Sequence, residues 1–301
     1  MATSAAKRAR TTNAADLSAM HSADTTSLQI CFMAPSEPYK VPPAATVLVG
    51  RKDALLEISE QLLPAGMPHK LYQALVTSVS PGDTGRSAST LFEAGVWRDG
   101  HFQATSTATL AVAVLPEVCS RHNSPLRPHA ITSLVASAAA DPAKETGGAS
   151  VILVLADPAH AAGAACAVAR AFPLYSMKSS MKQVAHEPLT GRGIVRVGFA
   201  TSGAQQPAIP ASVYEPCRKA AFSVRLAAWM VDTPPEDMTT TAVVHEAKAA
   251  ATRLRGMGRE VLIDVIVGEA LRERGYGGLY AVGKAATEPP ALCVRAEPDC
   301  C

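Results

Sequence analysis

No stretch of this chain is long and apolar enough to cross a membrane. Apolar candidates such as Ala108–Leu115 and Val151–Ala156 are strand-sized, well short of the roughly 18 residues that a spanning helix needs. Net charge is nearly missing as well: at +2 the chain has no basic stripe of the kind that binds nucleic acid. No Gly-x-Ser-x-Gly elbow occurs, and no Cys/His/Asn set stands out, so nothing marks a nucleophilic hydrolase. The seven cysteines (Cys31, Cys119, Cys166, Cys217, Cys293, Cys300 and Cys301) are odd in number and scattered, mostly inside apolar segments. That pattern speaks for buried thiols in a reducing, cytoplasmic setting and against a disulfide framework.

What is present is ample apolar material: 48% of 301 residues, enough for the cores of two ordinary domains. Residues 1–27 are rich in Ala, Ser and Thr around a basic knot, Lys7-Arg8-Ala9-Arg10. They are expected to be a solvated, disordered tail. A targeting peptide fits the composition less well because of Asp16 and Asp24, and the basic knot leaves a nuclear signal open. From Leu28 onward strands and helices alternate. Leu28–Met33 and Ala45–Val49 have the β-branched, apolar character of short buried strands. Asp53–Leu63 carries Leu55, Leu56, Ile58 and Leu62 at helical spacing, and Leu71–Val79 predicts a shorter helix. Phe92–Gln103 reads as a hairpin turning at Asp99-Gly100, and Thr109–Leu115 as a central strand.

Two further helices have legible beginnings. Asn123 or Ser124 can cap Pro125–Ala140, and Asp157-Pro158 repeats the signature for a helix through Phe172. Val151–Ala156 lies between them as a buried strand, and Ile194–Ala200 adds another. Strands followed by crossover helices imply a largely parallel sheet with both faces covered. Val213–Val231 is a long helix whose apolar positions are Val213, Ala220, Val224, Ala227, Ala228 and Val231. It stops before Pro234-Pro235, where a domain boundary is expected. Beyond it Thr239–Thr241 caps a helix to about Arg255, Glu260–Val267 is a strand, Gly268–Arg274 a helix, and Tyr280–Val282 and Ala291–Val294 strand fragments. The expected organisation is a tail over 1–27, an N-terminal α/β domain over 28–210, a linking helix and turn over 211–235, and the start of a second domain over 236–301.

The motifs suggest chemistry without completing it. Gly278-Leu-Tyr-Ala-Val-Gly283-Lys284-Ala285 follows the phosphate-cradling pattern until Ala285 replaces the Ser or Thr that would hold magnesium; a buried strand ending at a glycine accounts for it better. His245-Glu246 begins like the helical zinc signature, but Ala249 stands where the second histidine belongs. An outward-facing pair on an amphipathic helix is the simpler reading. His122 and Asn123 follow a strand, where ligands gather in open α/β sheets, although Asn123 or Ser124 as a helix cap needs no ligand. Cys300-Cys301 is too closely spaced and too solitary for a zinc knuckle. Glu269 and Glu273 are expected on a solvated helix face beside Arg272 and Arg274.

Several blocks, in order, carry a family likeness. They are Ser120-Arg121-His122-Asn123-Ser124-Pro125; Ala165–Leu174; Val224–Ala228 running into Val231-Asp232-Thr233-Pro234; Gly275–Ala286; and Pro289-Pro290-Ala291-Leu292. Together, across about residues 28 to 299, the chain closely resembles the probable-aminopeptidase-like branch of the leucyl (cytosol) aminopeptidase family. One departure is Glu236, where that branch usually has asparagine after the proline turn, a residue more tolerant of left-handed backbone.

The resemblance implies an α/β fold: a macrodomain-like N-terminal domain, a linking helix, and the start of a zinc-peptidase-like catalytic domain. It implies two divalent cations (zinc, manganese or magnesium), which activate a bridging water and polarise the first peptide carbonyl. It also implies peptide substrates and a homo-oligomer, hexameric in the family, with no nucleic-acid or membrane partner. The family draws its ligands from a Val-Gly-Lys-Gly…Asp-(Thr/Ser)-Gly-Gly motif and an Asn-Thr-Asp-Ala-Glu-Gly-Arg motif, and neither occurs here. Lys284 lies in Val282-Gly283-Lys284, but in the block that precedes the ligand lysine. No catalytic, cofactor-binding or metal-binding residue is therefore assigned. The expectation is a truncated family member, inactive alone, with poor solubility or disorder after about residue 235. The alternative is a non-catalytic oligomerising or regulatory subunit of an aminopeptidase assembly. Nucleotide or ADP-ribose binding by the N-terminal half rests on fold analogy alone.

Overall fold

Three apolar runs, Ala45–Gly50 (β2), Ala149–Leu155 (β5) and Ile194–Thr201 (β6), lie side by side as parallel strands. Their near-continuous apolar character is what burial on both faces demands, and every residue of β2 and β5 is buried. The computed structural model describes residues 28–35, 41–119, 124–175, 192–202, 209–256 and 258–296. The chain divides into two compact units between Trp229 and Met230, near the end of a long helix.

In the larger unit the sheet is completed by β1 (Gln29–Phe32), β3 (Arg86–Arg98) and β4 (His101–Val114), in the order β1-β6-β5-β2-β4-β3. All neighbours run parallel except β3, which pairs antiparallel with β4 as an edge strand. The β3–β4 hairpin turns at Asp99-Gly100, both with positive φ (50° and 79°), as a two-residue turn matched to strand twist requires. It is longer at both ends than expected, and the predicted central strand at Thr109–Leu115 is its inner end.

One face of the sheet is covered by α3 (Pro128–Ala139), α4 (Ala161–Ala171) and the beginning of α5 (Tyr214–Asp232). Alanine at six of the seven buried positions of α4 allows close approach to the strands. The other face is covered by α1 (Lys52–Leu56) and α2 (His69–Ser78) around Leu48, Leu55, Tyr72 and Leu110. Burial of these branched and aromatic side chains stabilises each by about 1.5–3 kcal/mol.

Three expectations are corrected here. The helix predicted over Asp53–Leu63 breaks after Leu56 and resumes as one 3-10 turn, Glu60–Leu62. Ser59 takes the Gln61 amide with its own hydroxyl, competing with the helix ladder. Asn123 lies outside the described residues, and Ser124 does not cap α3: its hydroxyl accepts from the Leu126 amide. The helix starts at Pro128 after Arg127 in a left-handed conformation; proline at the first helical position has no N–H to leave unpaired. Along α5 the buried positions are Cys217, Ala221, Arg225, Ala228 and Trp229, while Val231 is exposed. Of the apolar positions read from the sequence Ala228 is buried and Val213 packs against the core, while Ala227 and Val231 are exposed and the buried Arg225 is not among them.

The smaller unit holds α6 (Thr240–Gly256), β7 (Leu262–Val267), α7 (Glu269–Glu273), α8 (Gly277–Gly283) and β8 (Ala291–Ala296). β7 and β8 pair antiparallel as a two-stranded sheet. The segment expected as a strand at Tyr280–Val282 is helix α8, with Val282 exposed. A short apolar run does not distinguish helix from strand by itself.

Candidate functional site

Ligands of open α/β sheets gather beyond the carboxyl ends of the strands. After β4 the chain passes Pro116 and Glu117, whose carbonyl oxygens each accept a hydrogen bond from the Arg127 guanidinium at 3.2 Å. A cavity of about 450 Å³ opens there, lined by Thr84, Gly85, Arg127 and His129 among others. His122, singled out in the sequence for this place, lies outside the described residues, as do Cys300 and Cys301.

In the smaller unit the start of α6 is held from two sides. Thr239 Oγ1 accepts from the Ala242 amide at 3.3 Å, as expected for a cap, and Glu288 Oε2 accepts from the Thr241 amide at 3.1 Å. Hydrogen bonds from the Thr241 side chain, the Thr241 amide and the Thr239 side chain hold the Glu288 carboxyl below the usual glutamate range. One turn further along, Glu246 is buried and His245 is half-buried. His245 Nε2 is sealed from solvent and has no hydrogen-bond partner among the described residues. The pair does not face solvent as the amphipathic pattern suggested, because α6 is covered on more than one side.

Lys284, the cap residue following α8, is exposed. Glu269 and Arg272 form a 2.7 Å ion pair on the surface, and Arg274 pairs with Asp264 at 2.9 Å, so the expected solvated charge face is present. Glu269 also holds the Tyr280 hydroxyl in its protonated form, raising its pKa. Burial pushes the thiols of Cys31, Cys166 and Cys217 up, the reverse of what an activated sulfur nucleophile needs.

A two-cation centre needs several converging carboxylates besides its lysine. Among the described residues no group of three or more His, Cys, Asp and Glu could hold a metal ion. His245 and Glu246 are consecutive on a helix, so their side chains diverge by about 100°. The residues present do not fit the group, and no catalytic step is derived through it.

Two family models match this chain. The M17 aminopeptidase N-terminal domain 2 covers residues 46–181, and the catalytic domain of the cytosol aminopeptidase family covers residues 225–296. The chain belongs to the M17, or leucyl, aminopeptidase family. Within it, the chain is similar to the mouse protein described as "Probable aminopeptidase NPEPL1", at 36% identity over 185 residues. That match covers 61% of this chain and 32% of the mouse protein. An M17 aminopeptidase from Trypanosoma brucei shares the fold with a TM-score of 0.70 and 29% identity, covering 94% of this chain and 51% of that one. "Leucine aminopeptidase 1" of Caenorhabditis elegans is 28% identical over 258 residues, which are 82% of this chain and 44% of the relative. The chain thus spans 32% to 51% of the length of these relatives. Among the described residues no helix is long and apolar enough to cross a membrane.

Proposed function

We propose that this protein serves metal-dependent removal of N-terminal residues from peptides. On this reading residues 28–296 supply the N-terminal α/β domain and the opening part of the catalytic domain. Taken alone, the 301 residues do not turn over substrate. The observation that carries this reading is the pairing of two M17 family matches, in order, on one chain with described side chains of which no group of three or more could hold a metal ion. Such a site would supply Lewis-acid activation of water and of the peptide carbonyl, which needs several side chains to grip the cations. The expected setting is the cytoplasm, in keeping with the free thiols of Cys31, Cys166, Cys217 and Cys293.

The test is direct. The purified 301-residue chain with leucine p-nitroanilide and manganese is expected to release no p-nitroaniline above the metal-only rate. Turnover abolished by a chelator would overturn the reading.

A second reading is a non-catalytic subunit that joins longer relatives. It is favoured by the apolar surface of the β7–β8 sheet, where Leu262, Val267 and Val294 are exposed. Two strands alone form a marginal sheet with open edges. Co-purification with a longer M17 protein supports this reading, and a strictly monomeric chain that retains none in pull-down counts against it.

A further inference from the structure

In the larger unit, α1 has only five residues, and the chain then continues as the 3-10 turn and the loop at Pro64. The helical layer on that face therefore stops short, over the first half of β2 and β5. A cavity of about 350 Å³ fills the gap, walled by Pro42, Pro43, Leu62, Phe92 and Trp97 and floored by Thr46 and Ile152. Of the described residues that line it, none is charged. Small-molecule sites typically occupy roughly 300–1,000 Å³ and combine apolar walls with a few placed polar groups.

Thr46 supplies such a group. It stands on β2 opposite Ser150 of β5 and is only 3% exposed. It lines the cavity, and its hydroxyl has no hydrogen bond among the described residues. A hydroxyl on the floor of an apolar cavity can donate to and accept from a bound molecule. At the mouth Trp97 is 68% exposed, its ring edge-on to Phe102 with centroids 5.9 Å apart. This leaves a large flat apolar ring facing solvent at the edge of the cavity.

We propose that this cavity binds a neutral, ring-bearing small molecule with one hydroxyl or carbonyl group, its ring against Trp97 and Phe92 and its polar atom bonded to the Thr46 hydroxyl. The described lining, which carries no charge, disfavours a phosphate or a carboxylate, since burying an unpaired charge is far more costly than burying a hydroxyl. The site is thereby mismatched to a nucleotide. It is built wholly within residues 35–152 and is independent of the peptidase reading.

Saturation-transfer NMR of the 301-residue chain with benzyl alcohol as the probe tests this, with benzoate and benzylammonium as charged analogues. Benzyl alcohol is expected to show saturable transfer, at least about tenfold tighter than either ion. Trp97→Ala, a surface change that leaves the core intact, is expected to abolish it. Thr46→Val, nearly the same shape without the hydroxyl, is expected to weaken binding about fivefold, the factor that corresponds to one ordinary hydrogen bond. Absence of saturable transfer in the parent chain, equal transfer to the charged analogues, or unchanged binding in both variants would each overturn the proposal.

Discussion

Arg225 on α5 donates through Nε to the carbonyl oxygen of Phe172 and through Nη2 to that of Leu28, each at 2.9 Å. With the arginine only 7% exposed, one side chain ties the long helix to the end of α4 and to the residue before β1. Bonds from a charged donor contribute about 1.5–3 kcal/mol each, and an orphaned buried carbonyl is costly. Arg225→Ala is therefore expected to lower the unfolding free energy by about 3 kcal/mol, measured by urea denaturation. Arg225→Lys, which cannot reach both carbonyls with a planar fork, is expected to recover less than half. A loss under about 0.5 kcal/mol for the alanine variant, the size of an ordinary surface change, would refute the clamp.

Gly147 has φ of +91°, and a Cβ added there would overlap the carbonyl oxygen of Pro42. Gly147→Ala is expected to cost about 1–3 kcal/mol from the left-handed backbone and the overlap together. Gly100 also has positive φ, but nothing lies within 4 Å of its added Cβ. Gly100→Ala should carry the backbone cost alone, so the difference between the two melting temperatures isolates the overlap.

Tyr72 is fully buried, and its hydroxyl donates to the Leu55 carbonyl, joining α2 to α1. Tyr72→Phe is expected to cost about 1–2 kcal/mol by leaving that carbonyl unpaired. Burial raises the phenol pKa above its ordinary value. A raised folded pKa gives stability that is complete below the unfolded value, about 10, and is lost as pH rises through the folded one. Denaturation between pH 9 and 11 is therefore expected to show a decline in the parent that the phenylalanine variant lacks.

Glu288 sits at the start of α6 with its pKa lowered by bonds from Thr241 and Thr239. A depressed folded pKa has the opposite sign: its contribution is present above the unfolded value and fades as pH falls through the folded one. Carbon-13 NMR is expected to show the Glu288 carboxyl titrating below the other exposed glutamates. Glu288→Gln is expected to speed amide exchange at Thr241, and unchanged exchange would remove its capping role.

Most of the larger unit was legible because strands buried on both faces must be apolar throughout, which leaves β2, β5 and β6 no disguise. Asp99-Gly100 and Asp157 were equally readable, since positive φ and a capping carboxylate are local demands; Asp157 accepts from the Ala159 amide at 2.8 Å. The failures are places where distant residues decide. Nothing near Glu288 in the sequence announces the helix start it caps, 47 residues away. Arg225 looks like a surface residue until Phe172 and Leu28 are brought to it. Thr46 reads as one more β-branched strand residue, and only the shortfall of helix above it opens a cavity. The family likeness rested on whole blocks of sequence, which is why it survived the misplaced α8.

Among the described residues β1 has its only sheet neighbour in β6, with Gln29 set against Ile194. A ribosome releases the first of these strands long before the second, whereas the β3–β4 hairpin can zip within microseconds of emerging. Closing so large a loop is entropically slow. The nascent chain must therefore carry an unpaired Gln-Ile-Cys-Phe segment until residues 194–197 have emerged.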